Sequence, residues 1–288
     1  MLLKIGLPKG SLQESTFELM RRAGFALEVG SRSYFPSIDD EEIEVVLFRA
    51  QEMSRYVEQG VIDLGLTGKD WIEENGSDVY EVEELLYNKQ TLHAAKWVLA
   101  VPEASPATCV KDLQGKLIAT ELVSVTKRFL EKNNVTARVE YSYGATEAKV
   151  GIVDAIVELT ETGSSLRSNR LKVIETLMLT TPRLIANKQS WQDACKREKI
   201  ENITMLLKGA IMARMKVGLK MNVPQNAKDE VLALLPALKM PTLSPLSVDG
   251  WFAVETVLDE TSARKIIPEL KRAGAQGIIE YPLNKVIP

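Results

Sequence analysis

The sequence predicts an α/β fold followed by a smaller βαββαβ unit, and three observations carry that reading. Short apolar runs alternate with amphipathic stretches over the first ~90 residues. The same alternation resumes over residues 97–178. Near residue 212 the pattern changes to strands and helices in the order βαββαβ, punctuated by Pro224, Pro241 and Pro245 where elements should end. A chain of 288 residues has room for about two or three domains.

Taken in order, residues 2–7 form a short apolar run of the kind a buried strand needs, and 12–23 carry helical spacing. Strands at 45–48 and 62–66 alternate with a helix at 53–59 and a helix starting at 70. In the next unit 97–101, 117–119, 138–142 and 172–178 read as strands and 126–133 as a helix. Residues 184–187 and a long helix over about 190–206 return the chain to the first unit. Beyond them, strands at 217–221, 242–246, 251–257 and 277–281 flank helices at 227–235 and 262–272. That order is the ferredoxin-like layout of many small amino-acid-sensing domains. The expected domains are 1–92 with 181–211, then 93–180, then 212–288.

Composition narrows the function. Apolar residues at 45% and charged residues at 26% are ordinary for a soluble globular protein. A net charge of -3 gives no general attraction to nucleic acid or to an anionic membrane, so any phosphate site must be local. The two cysteines, Cys109 and Cys195, form no metal or redox motif and are expected to be reduced packing residues of a cytoplasmic protein. The N-terminal segment lacks a basic leader, and no stretch approaches the ~20 apolar residues of a membrane span. The single histidine, His93, has no acid–base partner nearby in the sequence, and without a cysteine cluster a structural zinc site is not expected. The tryptophans Trp71, Trp97, Trp191 and Trp251 are scattered, as packing residues are.

The most informative segment is 153–166, in which an apolar run carries carboxylates at Asp154 and Glu158. It leads into Thr160, Glu161, Thr162, Gly163, Ser164 and Ser165, and Leu166 then begins a helix. Backbone amides at a helix start point outward unpaired, and the helix dipole adds to their attraction for an anion. Gly163 admits close approach and the hydroxyls donate further hydrogen bonds. The carboxylates would repel a phosphate, but Glu158 can accept hydrogen bonds from ribose hydroxyls, so the combination points to 5-phosphoribose. A capped helix explains the loop alone equally well.

Other candidates stand at strand ends, where ligands collect in open α/β sheets. Lys9 and Gly10 place an ammonium and a flexible backbone after the first strand, although an exposed turn lysine has the same appearance. Arg49 could clamp a phosphate bidentately or be a surface arginine. Thr67, Gly68 and Asp70 close another strand, and helix capping alone accounts for Asp70. Glu121 could help to bind magnesium or ribose, or be a solvated glutamate.

Residues 140–149 (EYSYGATEAK), Asp154 and 158–166 (ELTETGSSL) together resemble the signature of the ATP phosphoribosyltransferase family, the first enzymes of histidine biosynthesis. Residues 7–12 (LPKGSL) and 63–70 (DLGLTGKD) agree, and the last ~75 residues resemble the regulatory domain of the family's long form. The resemblance implies a two-lobed catalytic region of the type II periplasmic-binding-protein architecture, followed by the ferredoxin-like unit. It implies a glycosyltransferase joining ATP to 5-phosphoribosyl pyrophosphate with Mg²⁺, Glu121 and Glu158 being candidate metal ligands. The 5-phosphoribosyl pyrophosphate contacts would be Asp154, Glu158 and the 160–165 loop; those of the nucleotide Lys9, Gly10, Arg49, Thr67, Gly68 and Asp70. It further implies a hexamer and feedback inhibition by histidine, with Thr242 and Ser244 lining the effector pocket. Three departures stand out: Glu158 where Asp is usual, Ser11 where Arg is common, and Lys220 where some members hold the effector amine with an acid. A non-catalytic two-lobed anion-binding protein, or a phosphoribosyltransferase with another acceptor base, predicts the same cleft and loop. The missing leader and the appended C-terminal unit weigh against a transport role.

Overall fold

The computed structural model describes residues 2–30, 32–87, 94–236 and 240–287; His93 lies outside them. The chain divides into two compact units, Met1–Thr204 and Met205–Pro288.

The first unit holds two five-stranded sheets. Its opening half runs β1 (Leu3–Lys9), α1 (Gln13–Ala23), a short ribbon β2 (Leu27–Glu28) and β3 (Ser37–Ile38), β4 (Ile43–Arg49), α2 (Ala50–Glu58), β5 (Leu64–Gly68), α3 (Lys69–Asn75) and β6 (Tyr80–Glu84). The second half runs β7 (Ala95–Pro102), β8 (Leu117–Thr120), α4 (Val123–Lys132), β9 (Arg138–Tyr141), β10 (Ala155–Thr160), α5 (Ser164–Ser168) and β11 (Leu171–Thr180). β12 (Pro182–Ala186) then returns the chain to the first sheet, followed by α6 (Lys188–Gln192) and α7 (Ala194–Ala213).

The first sheet has the order β4-β1-β5-β12-β6. Interior strand β1 pairs in parallel with both β4 and β5 and is apolar almost throughout because both of its faces are covered. Leu3, Ile5 and Leu7 are fully buried, each contributing about 1.5–3 kcal/mol of apolar burial. α1 buries Thr16, Leu19, Met20 and Ala23, the i, i+3, i+4, i+7 face of an amphipathic helix. The second sheet has the order β11-β7-β10-β8-β9. β8, β9 and β10 are parallel, and β7 is antiparallel to β10. One face packs Trp97, Leu99, Ile118 and Val157 against Leu130 of α4. The other packs Val98, Ala119 and Ile156 against Leu166 of α5.

Two features depart from the sequence expectation. β6 was not expected, because Glu81, Glu83 and Glu84 mask its apolar positions; Lys69 and Arg183 pair with Glu81, and Arg183 with Glu84. The expected single helix over 190–206 is two helices. Asn187 accepts from the amides of Gln189 and Ser190 to cap α6. Asp193 then leaves helical geometry, and its carboxylate accepts from the amides of Cys195 and Lys196 to start α7 afresh. Both cysteines are free; Cys195 is exposed on α7 and not a packing residue.

The second unit comprises β13 (Lys216–Pro224), α8 (Lys228–Leu234), β14 (Thr242–Pro245), β15 (Trp251–Asp259), α9 (Glu260–Arg272) and β16 (Gln276–Pro282). Its antiparallel sheet, β14-β15-β13-β16, is the ferredoxin-like arrangement. Strict alternation along β13 sends Val217, Leu219, Met221 and Val223 to one face, where Val231 of α8 and Leu270 of α9 meet them. No helix among the described residues is long and apolar enough to cross a membrane.

Candidate active site

The strands of the two sheets of the first unit bring their chemistry to one cavity of about 290 Å³. From the first sheet come Lys9 at the end of β1, Arg49 at the end of β4, Gly68 at the end of β5 and Asp70 just after it. Lys9 and Arg49 are register partners, which sets two cations side by side at adjacent strand ends. The Lys9 ammonium lies 3.7 Å from the centroid of Tyr34, a cation–π contact. The Arg49 guanidinium packs against Gly10, about 3.4 Å from where a Cβ would stand.

Asp70 is buried at the cavity floor. Its carboxylate accepts from the Trp97 indole N–H at 2.6 Å and from the Trp71 amide at 3.0 Å. Burial raises its pKa, against the pull of those hydrogen bonds. A Cβ on Gly68 would lie 2.0 Å from an Asp70 carboxylate oxygen, so glycine is the residue that lets this carboxylate fold back. Since Trp97 belongs to β7, Asp70 ties one sheet to the other. Trp71 and Trp97 meet edge to face at 6.1 Å, and both line the cavity.

The second sheet contributes Glu121, Glu158 and Glu161. Glu121 accepts a long hydrogen bond of 3.4 Å from Gln51. Glu158 is half-buried; burial pushes it up to about 7, the nearby charges of Glu147 and Glu121 adding to the rise and the Thr146 hydroxyl opposing it. A carboxyl held near neutrality beside two other acids is set up to gain from a cation or a hydroxyl-bearing ligand. No group of three or more metal-ligating side chains occurs among the described residues. Magnesium bound with a polyphosphate needs only one or two carboxylates, so Glu121 and Glu158 fit that role.

Beyond β10 the loop closes on itself. The Thr160 hydroxyl accepts from the Gly163 amide at 2.8 Å, and the Thr162 and Ser164 hydroxyls are 3.0 Å apart. Gly163 has φ 73°, and helix α5 starts at Ser164, two residues before the expected Leu166. Ser165 donates to Glu147 at 2.6 Å, and Arg167 donates to the Thr162 carbonyl at 3.2 Å.

Several expected site residues lie elsewhere. Asp154 precedes β10 and sits at the end of the sheet away from the loop, where it accepts from the Leu117 amide at 2.9 Å and pairs with Lys116 at 3.3 Å. Four residues of strand separate it from Glu158, about 13 Å, so the two carboxylates do not act as a pair. Thr67 is buried and its hydroxyl is committed to the Ala50 carbonyl at 2.7 Å. Thr242 and Ser244 stand exposed on edge strand β14 of the second unit, where Thr242 is opposite Glu255. Glu255 pairs with Lys220 at 3.2 Å and accepts from the Tyr281 hydroxyl at 2.6 Å. Trp97, Trp71 and Gln51 also line the cavity without being assigned to it from sequence, because their places depend on contacts between distant segments that no local pattern encodes.

Comparison with known proteins agrees with this geometry. The family model described as ATP phosphoribosyltransferase matches residues 49–209, and that of the HisG C-terminal domain matches 213–285. The chain is 58% identical to the ATP phosphoribosyltransferase of Prosthecochloris aestuarii over 99% of its own length and 98% of the relative's. It is 59% identical to that of Solibacter usitatus over the full length of both. Among solved structures, the ATP phosphoribosyl transferase (HisG:HisZ) complex from Thermotoga maritima aligns at a TM-score of 0.61 and 26% identity, covering 72% of this chain and 99% of that one. The chain belongs to the ATP phosphoribosyltransferase family, in the long form that carries the C-terminal domain.

Proposed function

We propose that the cleft joins ATP to 5-phosphoribosyl pyrophosphate, giving 1-(5-phosphoribosyl)-ATP and pyrophosphate as the first step of histidine biosynthesis. The observation that carries this reading is one cavity lined by Lys9 and Arg49 from the first sheet and by Glu158 and Glu161 from the second, where β10 leads on to the Thr-Gly-Ser-Ser loop.

The 160–165 loop and the start of α5 hold the 5-phosphate through amides and hydroxyls. Glu158 accepts from the ribose hydroxyls. Adenine N1 attacks the anomeric carbon with its own lone pair as the bond to pyrophosphate breaks, so no general base is required. The transition state is oxocarbenium-like, and the chain's task is to hold two polyanions in line and neutralise the leaving group. Lys9 and Arg49 supply positive charge for phosphates, Arg49 in bidentate form. Glu121 and Glu158 are the residues that would hold Mg²⁺, and a bound Mg²⁺ would supply charge neutralisation for the departing pyrophosphate.

The domain reading belongs to the same proposal: 1–92 with 181–211 as one catalytic lobe, 93–180 as the other, and 212–288 as the regulatory domain. Thr242 and Ser244 contact histidine as feedback inhibitor, in a cytoplasmic homo-oligomer, the hexamer implied by resemblance. Lys220 already neutralises Glu255, so histidine has to compete with that lysine for an acidic partner.

The test is a near-ultraviolet assay with ATP, 5-phosphoribosyl pyrophosphate, Mg²⁺ and pyrophosphatase, with and without histidine. A new adenine absorbance that needs both substrates is expected, and its suppression by histidine assigns the C-terminal unit. Folded protein that yields no product would overturn the reading.

A further inference from the structure

Two tyrosines in the segment that carries the family resemblance have no part in the account above. Tyr141 ends β9 and Tyr143 follows it, with ring centroids 4.7 Å apart and planes at 72°. Their exposures are 46% and 89%. Single exposed apolar groups need no explanation, but here the backbone beneath them is fixed. Ser142 and Thr146 are both buried and hydrogen-bonded to each other at 3.0 Å, and the Ser142 amide donates to the Thr120 carbonyl at 2.8 Å. Ala145 adopts φ 44°, ψ 50°, a left-handed conformation that a non-glycine residue keeps only where its surroundings enforce it. The turn is a rigid mount for two rings.

Its position relates it to the cleft. β9 runs parallel to β8 with Tyr141 opposite Thr120, so Tyr141 stands at the same strand ends as Glu121, a cavity-lining residue. Burial, with the charges of Glu121 and Glu74 nearby, pushes the Tyr141 phenol up. A phosphate is a poor occupant beside those two acids; a flat, uncharged heterocycle is a good one.

We propose that the Tyr141–Tyr143 pair is the surface on which the purine of the acceptor nucleotide stacks at the rim of the cleft. The inference rests on the ATP phosphoribosyltransferase reading and names the acceptor side of that site. A ring face binds a base without any hydrogen-bond pattern.

The experiment measures KM for each substrate in Tyr143→Ala and Tyr143→Phe. Tyr143 is so exposed that neither change threatens folding. Loss of a base–aromatic stack should raise KM for ATP by roughly 5- to 100-fold and leave that for 5-phosphoribosyl pyrophosphate nearly unchanged, with Phe restoring wild-type behaviour. An unchanged KM for ATP, an equal rise in both constants, or failure of Phe to rescue overturns the proposal. Should the wild-type enzyme transfer nothing, the proposed reaction fails separately. In that case the fluorescence of Tyr143→Trp, titrated with AMP and with ribose 5-phosphate and compared with wild type, whose Trp71 and Trp97 line the cavity, still decides: quenching by AMP alone beyond that of wild type supports stacking, and none beyond it refutes stacking.

Discussion

Asp154 and Glu158 have the same charge and are four positions apart on one stretch of chain, yet the two ends of β10 treat them oppositely. Asp154 is exposed and satisfied by Lys116 and the Leu117 amide, which hold its carboxyl below the usual range, the amide hydrogen bond most. Glu158, at the loop end, is half-buried near other acids and pushed up to about 7. The same residue chemistry is a surface ion pair at one end of the strand and a candidate ligand at the other. In a parallel sheet the C-terminal strand ends are where loops can hold a ligand, and the opposite ends serve stability.

The largest effect should come from the loop itself. Gly163→Val forces a branched side chain into φ 73° and within reach of the Arg167 guanidinium, at a cost of about 1–2 kcal/mol in stability. Misplacing the loop amides by an ångström should lower kcat/KM for 5-phosphoribosyl pyrophosphate about a hundredfold. A near-normal value would show that the loop end of β10 is not the phosphoribosyl subsite. On the facing wall, Arg49→Ala removes charge-assisted hydrogen bonds worth about 1.5–3 kcal/mol, so kcat/KM should fall roughly 10- to 100-fold. Arg49→Lys should recover only part of that loss, since a bidentate fork is not replaced by a point charge. Full recovery by Lys would reduce Arg49 to a general positive charge.

A smaller effect concerns pH. Because Glu158 titrates at about 7 in the folded protein against 4.5 ordinarily, the native state holds this proton more tightly than the unfolded chain does. Its favourable contribution is complete below about 4.5 and is lost as pH rises through about 7. Glu158→Gln has no such proton, so its Tm should gain on wild type across that window, by roughly 2–4 °C. Parallel Tm profiles would mean that the Glu158 surroundings are less costly to its charge than the geometry implies.

Most of this architecture was legible in the sequence because its signals are local. The apolar runs of β1 and β5, the helical spacing of α1 and the alternation along β13 each announce their element over a few residues. The 160–165 loop was legible for the same reason, through glycine and hydroxyls at a strand-to-helix junction. What escaped depends on pairing between distant segments. β6 is recognisable only once Arg183 and Lys69 are placed beside its glutamates. The Asp70–Trp97 contact joins the first turn of α3 to β7, 27 positions away. The place of Asp154 at the far end of β10 escaped because spacing along a strand gives the face but not the end.

The most direct test of the account compares Glu158→Gln with Asp154→Asn in one assay, measuring kcat and KM for 5-phosphoribosyl pyrophosphate. Glu158→Gln should lose at least tenfold in kcat/KM, as expected when hydrogen bonds to a charged group worth about 1.5–3 kcal/mol are removed. Asp154→Asn should stay within a few-fold of wild type, losing only an exposed ion pair worth about 0–1 kcal/mol. Equal losses, or a larger loss at Asp154, would contradict the assignment of the phosphoribosyl subsite to the loop end of β10.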